Sequence, residues 1–208
     1  MALEDVDIII DPEVVPEDVQ AFLGEADERI DAFVADQSKR VPLGFVPSDF
    51  PRVYAALSTI VEQGLAPGSS LLEWGSGFGV VACMATWLDL DPHGIEIVPE
   101  LVEASEKLAE DFELPAQFHL GSFVPSDGEE LTDAVPDSHW LEAGRAAYTD
   151  IGLDIDDFDI VFAYPWPGEE GVTAALFERY GQDGALLVTY HGYEGIRVRR
   201  RVETAFSV

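Results

Sequence analysis

The chain has 208 residues, 47% of them hydrophobic, and a formal net charge of −30 at pH 7. That apolar content excludes a disordered composition and is enough for one domain with a core. No apolar run approaches ~20 residues, so no transmembrane helix is expected, and the negative field disfavours nucleic acid because phosphate backbones are repelled.

The same charge suits a cationic partner, high solubility or a saline environment; only Lys39 and Lys107 carry ammonium groups. Cys83 is the single cysteine, so neither an intramolecular disulfide nor a cysteine-based zinc site is expected. The four histidines form no ligand pair at helical spacing, and no metal site is predicted. The first residues, MALEDVDIIIDPEVVPEDV, are acidic and lack the basic segment of a signal peptide, so a cytoplasmic location is expected.

Residues 16 to 37 predict an amphipathic helix, with Val19, Phe22, Leu23, Ala26, Ile30, Phe33 and Val34 at helical spacing. Pro16 suits the first turn, and Glu17 and Asp18 complement the positive end of the helix dipole. A second helix is expected from near Pro51 to Gly64, burying Val53, Leu57, Ile60 and Val61. From Pro67 the pattern alternates. SSLLEW reads as a strand, 79 to 89 as a helix, HGIEIV as a strand and Pro99 to Glu113 as a helix. AQFHLGSF, FDIVFAY and GALLVTYH supply three more strands.

GIRVRRRV alternates, with Ile196, Val198, Arg200 and Val202 on one side. It is predicted at a sheet edge, where its arginines form ion pairs and discourage further pairing. Residues 124 to 157 form the one long irregular stretch, a lid or a solvated insertion, with a candidate helix around Ser138 to Tyr148. The β-α-β succession predicts an α/β, Rossmann-like, mostly parallel sheet with helices on both faces. The expected division is an N-terminal helical segment, 1–66, packed on an α/β domain, 67–208, as a single structural unit.

LLEWGSGFG, residues 71 to 79, carries Gly75, Gly77 and Gly79 immediately after a buried strand and at the opening of a helix. Glycine permits positive φ and lets a ligand lie against the main chain, and the following helix offers unpaired N–H groups. In an open α/β sheet such ligands sit beyond the carboxyl ends of the strands. Glu96, about 20 residues past the loop, is placed to accept from both ribose hydroxyls. The spacing is G-x-G-x-G, and the dinucleotide fingerprint G-x-G-x-x-G would need a glycine at Val80. An NAD-dependent oxidoreductase is therefore disfavoured.

Over residues 67 to 195 the sequence resembles the class I S-adenosylmethionine-dependent methyltransferases. EWGSGFG resembles their first motif, GIEIVPELVEASEKLAE their second, HLGSF their third and FDIVFAYPWP their fourth. The resemblance implies S-adenosylmethionine as cofactor, held by Glu73, Gly75, Ser76, Gly77, Gly79, Glu96, Ile97, Ser122 and Phe123, with Val98 beside them. Ser122 would stand in for the aspartate that accepts from the adenine amine. In FVPSDFPRVY, Ser48 and Asp49 either bond the methionine end of the cofactor or cap the helix that follows. The family usually continues after its fifth strand with a helix and two more strands. Only residues 192–208 follow LLVTYH here, so an abbreviated C-terminal end is expected.

Tyr164 and Trp166 in YPWPGEE are the candidates for the acceptor-facing wall, since aromatic faces hold cationic or planar groups; the alternative makes Trp166 a core residue. Glu169 and Glu170 either orient an amine or cap the next helix. Tyr190 and His191 end the fifth strand of the α/β pattern, His191 as a base or a structural group, and Cys83 reads as a small core residue. The expected function is methyl transfer to a small-molecule acceptor. The alternatives are a non-catalytic S-adenosylmethionine-binding module and a protein methyltransferase, since GSGFG with GIEI also resembles non-SET histone lysine methyltransferases.

Overall fold

In the computed structural model, which describes residues 1–11, 15–36, 45–132 and 145–203, the apolar runs singled out above become strands of one sheet. In chain order the elements are β1 (Ala2–Asp5), α1 (Glu17–Ala35), α2 (Phe50–Glu62), β2 (Ser70–Trp74), α3 (Val80–Ala85), β3 (Asp91–Glu96), α4 (Pro99–Asp111) and β4 (Gln117–Leu120). They continue with α5 (Glu129–Thr132), α6 (Tyr148–Ile151), β5 (Ile160–Ala163), α7 (Glu170–Tyr180), β6 (Leu186–Tyr190) and β7 (Ile196–Val202). The sheet order is β1-β7-β6-β5-β2-β3-β4. Strands β2 to β6 are parallel to their neighbours among themselves, and β7 runs antiparallel to β6.

Side chains alternate across the sheet, so consecutive residues feed opposite cores. Leu71, Ile160, Phe162, Leu186 and Val188 pack with α1, α2, α3 and α4. Leu72, Val161 and Leu187 pack on the other face with Phe158, Leu176 and Phe177. Helices therefore cover both faces. Arg29 ties α1 to α4 through Asp111 at 2.8 Å, and Phe22 packs edge-on against Phe112 with ring centroids 5.1 Å apart.

Two expectations are corrected. Strand β7 is not an edge: β1 pairs outside it, with Glu4 opposite Arg200 and Asp5 opposite Arg199. Arginines that discourage a like-charged neighbour attract an acidic one, since opposite charges across a ladder stabilise it. Arg197 completes the join by donating to both Asp5 oxygens at 2.7 and 3.0 Å. Because β1 is antiparallel to β7, it runs in the direction of β2 to β6, and the strand beside β7 comes from a segment distant in sequence. Val34 and Val61, assigned to buried stripes, are 49% and 38% exposed. Each lies one residue past a buried neighbour, Phe33 and Ile60, and a 100° step carries it off the packed face. The candidate helix from Ser138 lies outside the described residues up to 144, and α6 begins only at Tyr148.

After β4 the chain crosses back to the other side of β2 to form β5. This reversal opens a crevice at the carboxyl ends of β2 and β5, as strand-order switch points do. Among the described residues, no helix is long and apolar enough to cross a membrane.

Candidate cofactor and acceptor site

A cavity of about 400 Å³ occupies this crevice. The three glycines at its base have φ of +69° at Gly75, +53° at Gly77 and +69° at Gly79, a region that L side chains rarely adopt. Their neighbours differ. A Cβ on Gly75 would meet nothing within 4 Å, and Gly75 lines the cavity. A Cβ on Gly77 would lie 2.8 Å from Phe45 Cε2. A Cβ on Gly79 would run into the Phe118 ring and lie 2.7 Å from Ser105 Cβ. Of the three, only Gly75 faces the cavity with open space at its Cβ position. Gly77 admits Phe45, and Gly79, which is not among the lining residues, admits the packing of β4 and α4.

The amides of this loop are largely committed. Gly75 and Ser76 both donate to Ile95 O at 2.9 Å, and Gly77 donates to Glu96 Oε2 at 2.9 Å. Glu96 Oε1 accepts from Ile97 and Val98 at 2.8 and 2.9 Å. Its carboxylate therefore pins the glycine loop to the turn after β3 and keeps one lone-pair direction of Oε2 for a further donor. Glu73 Oε2 accepts the Ala82 N–H at 2.9 Å, which orients the first turn of α3. Ser76 Oγ is buried without a hydrogen-bond partner among the described residues.

Burial raises both carboxyls. Glu73 is pushed well above the ordinary range by desolvation, offset by the Ala82 amide and raised further by the nearby Glu96 charge. Glu96 is raised by desolvation against three lowering backbone donors, Val98, Gly77 and Ile97. Two buried carboxylates in one cavity favour a cationic occupant, which stabilises their charged forms.

The opposite wall comes from the turn after β4. Ser122 is buried, and its hydroxyl accepts from Val124 N–H at 3.1 Å. Phe123 stacks on Trp74, centroids 5.2 Å apart and 12° from parallel. Tyr148 joins them by accepting from Trp74 Nε1 at 3.0 Å and donating to Phe123 O at 2.8 Å. Backbone bonds between Ser122 and the segment 145–147 hold this wall in place.

The third wall follows β5. Tyr164, Pro165, Trp166, Pro167 and Glu169 all line the cavity. Trp166 is 36% exposed, so its core alternative fails. Tyr164 packs edge-on against Tyr190 at 4.8 Å. Glu169 does not cap α7 with its side chain, while Glu170 accepts from Gly168 N–H at 2.8 Å. Ser48 and Asp49 divide their two readings. Ser48 lines the cavity, and Asp49 caps α2 by accepting from Arg52 N–H at 3.1 Å. His191 lies outside the lining and bonds Thr189 Oγ1 at 2.7 Å, and Cys83 is a core residue.

No family model matches the chain. Two curated relatives, the ribosomal protein L11 methyltransferases of Cupriavidus taiwanensis and Cupriavidus necator, are each 39% identical over 75 residues. The match covers 36% of this chain and 25% of each relative, so it spans about a quarter of their length. Among solved structures, an RNA methyltransferase from Salinibacter ruber in complex with S-adenosyl-L-homocysteine aligns with a TM-score of 0.53. The identity is 18%, covering 78% of this chain and 98% of that one. The chain has the class I methyltransferase fold.

On this fold the structure brings Glu73, Gly75, Ser76, Gly77, Glu96, Ile97, Ser122, Phe123, Tyr164 and Trp166 around one cavity, and it leaves Gly79 out. Sequence reasoning missed Trp74, Phe45 and Tyr148. Trp74 sits directly before the first glycine and was within reach of the motif. Tyr148 lies 74 residues from its Trp74 partner and has no local signal.

Proposed function

We propose that the chain binds S-adenosylmethionine in this cavity and transfers its methyl group to a small-molecule acceptor. The observation that carries the reading is the combination of Gly75, open to the cavity, with Glu96 pinned across it. The residues fit the group. A cavity of about 400 Å³ falls within the range of small-ligand sites, and its carboxylates suit a cationic ligand. Glu96 would accept from the ribose, Ser122 and Phe123 would face the adenine, and Gly75 with Glu73 would face the methionine portion.

When bound, the cofactor supplies an electrophilic methyl group on a sulfonium. The protein's part is to hold the acceptor in line with that methyl, and such positioning accounts for much of the rate in reactions of this kind. Tyr164 and Trp166 form the surface from which the acceptor approaches. The net charge of −30 favours a small acceptor over RNA, the class named for the Salinibacter protein. A protein acceptor is the second reading, favoured by the name of the curated relatives.

Calorimetric titration with S-adenosylmethionine, S-adenosylhomocysteine and NAD tests the cofactor. Micromolar binding of the first two is expected, roughly −8 kcal/mol. Tight NAD binding with no response to S-adenosylhomocysteine would overturn it.

A further inference from the structure

Resting on the methyl-transfer reading, we propose that the acceptor is a primary or secondary amine, held by Glu169 against the rings of Tyr164 and Trp166. The turn after β5 is unusual in what it offers hydrogen-bonding partners. Pro165 and Pro167 line the cavity and carry no N–H, so at two positions the turn presents carbonyls without donors. Two further amides of this turn are spent within it, Gly168 N–H on Glu170 Oε2 at 2.8 Å and Glu169 N–H on Trp166 O at 2.9 Å. A turn whose main chain offers more carbonyls than free amides favours a ligand that donates.

Charge points the same way. The ionisable side chains lining the cavity among the described residues are Glu73, Glu96, Glu169 and the phenol of Tyr164, with no lysine, arginine or histidine. The first two are engaged by backbone amides of the glycine loop, α3 and the turn after β3. Glu169 is 6% exposed and stands on the acceptor side, one turn before the buried Thr173, without capping the helix it precedes. A carboxylate has about four lone-pair sites, so other contacts leave room for a bound N–H. An anionic acceptor would enter a field of like charge, whereas an ammonium would gain from Glu169 and from both aromatic faces. Trp166 and Val46, both partly exposed, leave this end of the cavity reachable from solvent.

The chemistry balances. The acceptor enters as an ammonium and gives one proton to the Glu169 carboxylate. Its freed lone pair forms an N–C bond to the methyl carbon, and the C–S bond breaks with both electrons going to sulfur. The products are an N-methylated ammonium and a neutral thioether. Glu169 returns its proton to solvent.

The test uses the full chain saturated with S-adenosylhomocysteine and titrated with n-butylamine and 2-phenylethylamine, each beside its alcohol and its carboxylate counterpart. The amines are expected to bind about tenfold or more tightly than the matched alcohols, the scale of a charge-assisted hydrogen bond. Glu169→Gln should erase that preference while S-adenosylhomocysteine affinity and melting temperature stay near wild type. Equal binding of amine and alcohol by the wild type, no amine binding, or a preference retained in Glu169→Gln would overturn the acceptor assignment alone. Failure of S-adenosylhomocysteine itself to bind would overturn the cofactor reading, and this proposal with it.

Discussion

Glu96 Oε2 holds the Gly77 amide at 2.9 Å, nineteen residues back along the chain, while Oε1 holds the two amides that follow Glu96 itself. One carboxylate thus fixes the relative position of two loops that face the same cavity. Glu96→Ala should weaken S-adenosylhomocysteine binding by about 1.5–3 kcal/mol, the range for hydrogen bonds to a charged group. It should also lower the melting temperature, because three amides lose their acceptor. Calorimetry and thermal melting on the same variant separate the two effects. An unchanged dissociation constant would move the ribose site elsewhere.

Gly75 and Gly79 share a φ of +69° but have opposite surroundings, and their substitutions should diverge. Gly75→Ala places a methyl in the open cavity. It should reduce cofactor affinity at a backbone cost of about 1–2 kcal/mol for the left-handed conformation. Gly79→Ala meets Phe118 and Ser105 as well, so it should destabilise more while acting on binding only through the fold. Urea denaturation paired with titration distinguishes them. Equal stability losses would mean that the Phe118 contact yields.

Glu73 makes stability depend on pH in the sense opposite to a salt-bridged carboxylate. Burial raises its native-state pKa above that of the unfolded chain, so the native state holds the proton more tightly. The stabilisation is complete below the unfolded-state value and is lost as pH rises through the native one. Glu73→Gln keeps an oxygen for the Ala82 amide and removes the titration. Near neutral pH the variant should melt at or above the wild-type temperature, and this advantage should vanish under acid conditions below the ordinary glutamate range. A variant that melts lower at neutral pH, with an undiminished gap in acid, contradicts this account.

Trp166 is partly exposed on the cavity wall after β5, so under the proposed function Trp166→Ala should cost little stability and leave S-adenosylhomocysteine affinity nearly unchanged. Turnover of an accepted substrate should fall, since a small misplacement can cost ~100-fold. A loss of about 3–5 kcal/mol in stability would restore the reading of Trp166 as core.

Much of the cavity floor was legible because its chemistry is local. A buried strand, three glycines and a helix follow one another within 71–85, and the carboxylate at the end of the next strand lies one β-α-β unit away. The alternation of short strand-like and helical segments between turn residues likewise marked the place of every parallel strand. The division of labour among the glycines was not legible. Gly75, Gly77 and Gly79 need the same backbone freedom, and only Phe45, Phe118 and Ser105, brought in from elsewhere, decide which of them has open space at its Cβ position.

The amino-acid sequence by itself determined the alternating elements, the glycine loop, the acidic charge and the place of Glu96, because each depends on neighbours within one or two elements. Tertiary structure alone decided that β1 covers β7, that Tyr148 braces Trp74 against Phe123, and that Asp49 caps a helix while Ser48 faces the cavity. These are contacts between distant segments or choices between two adjacent side chains. Their free energies depend on which surfaces meet when the sheet closes, and a linear pattern of hydrophobicity and charge does not carry that information.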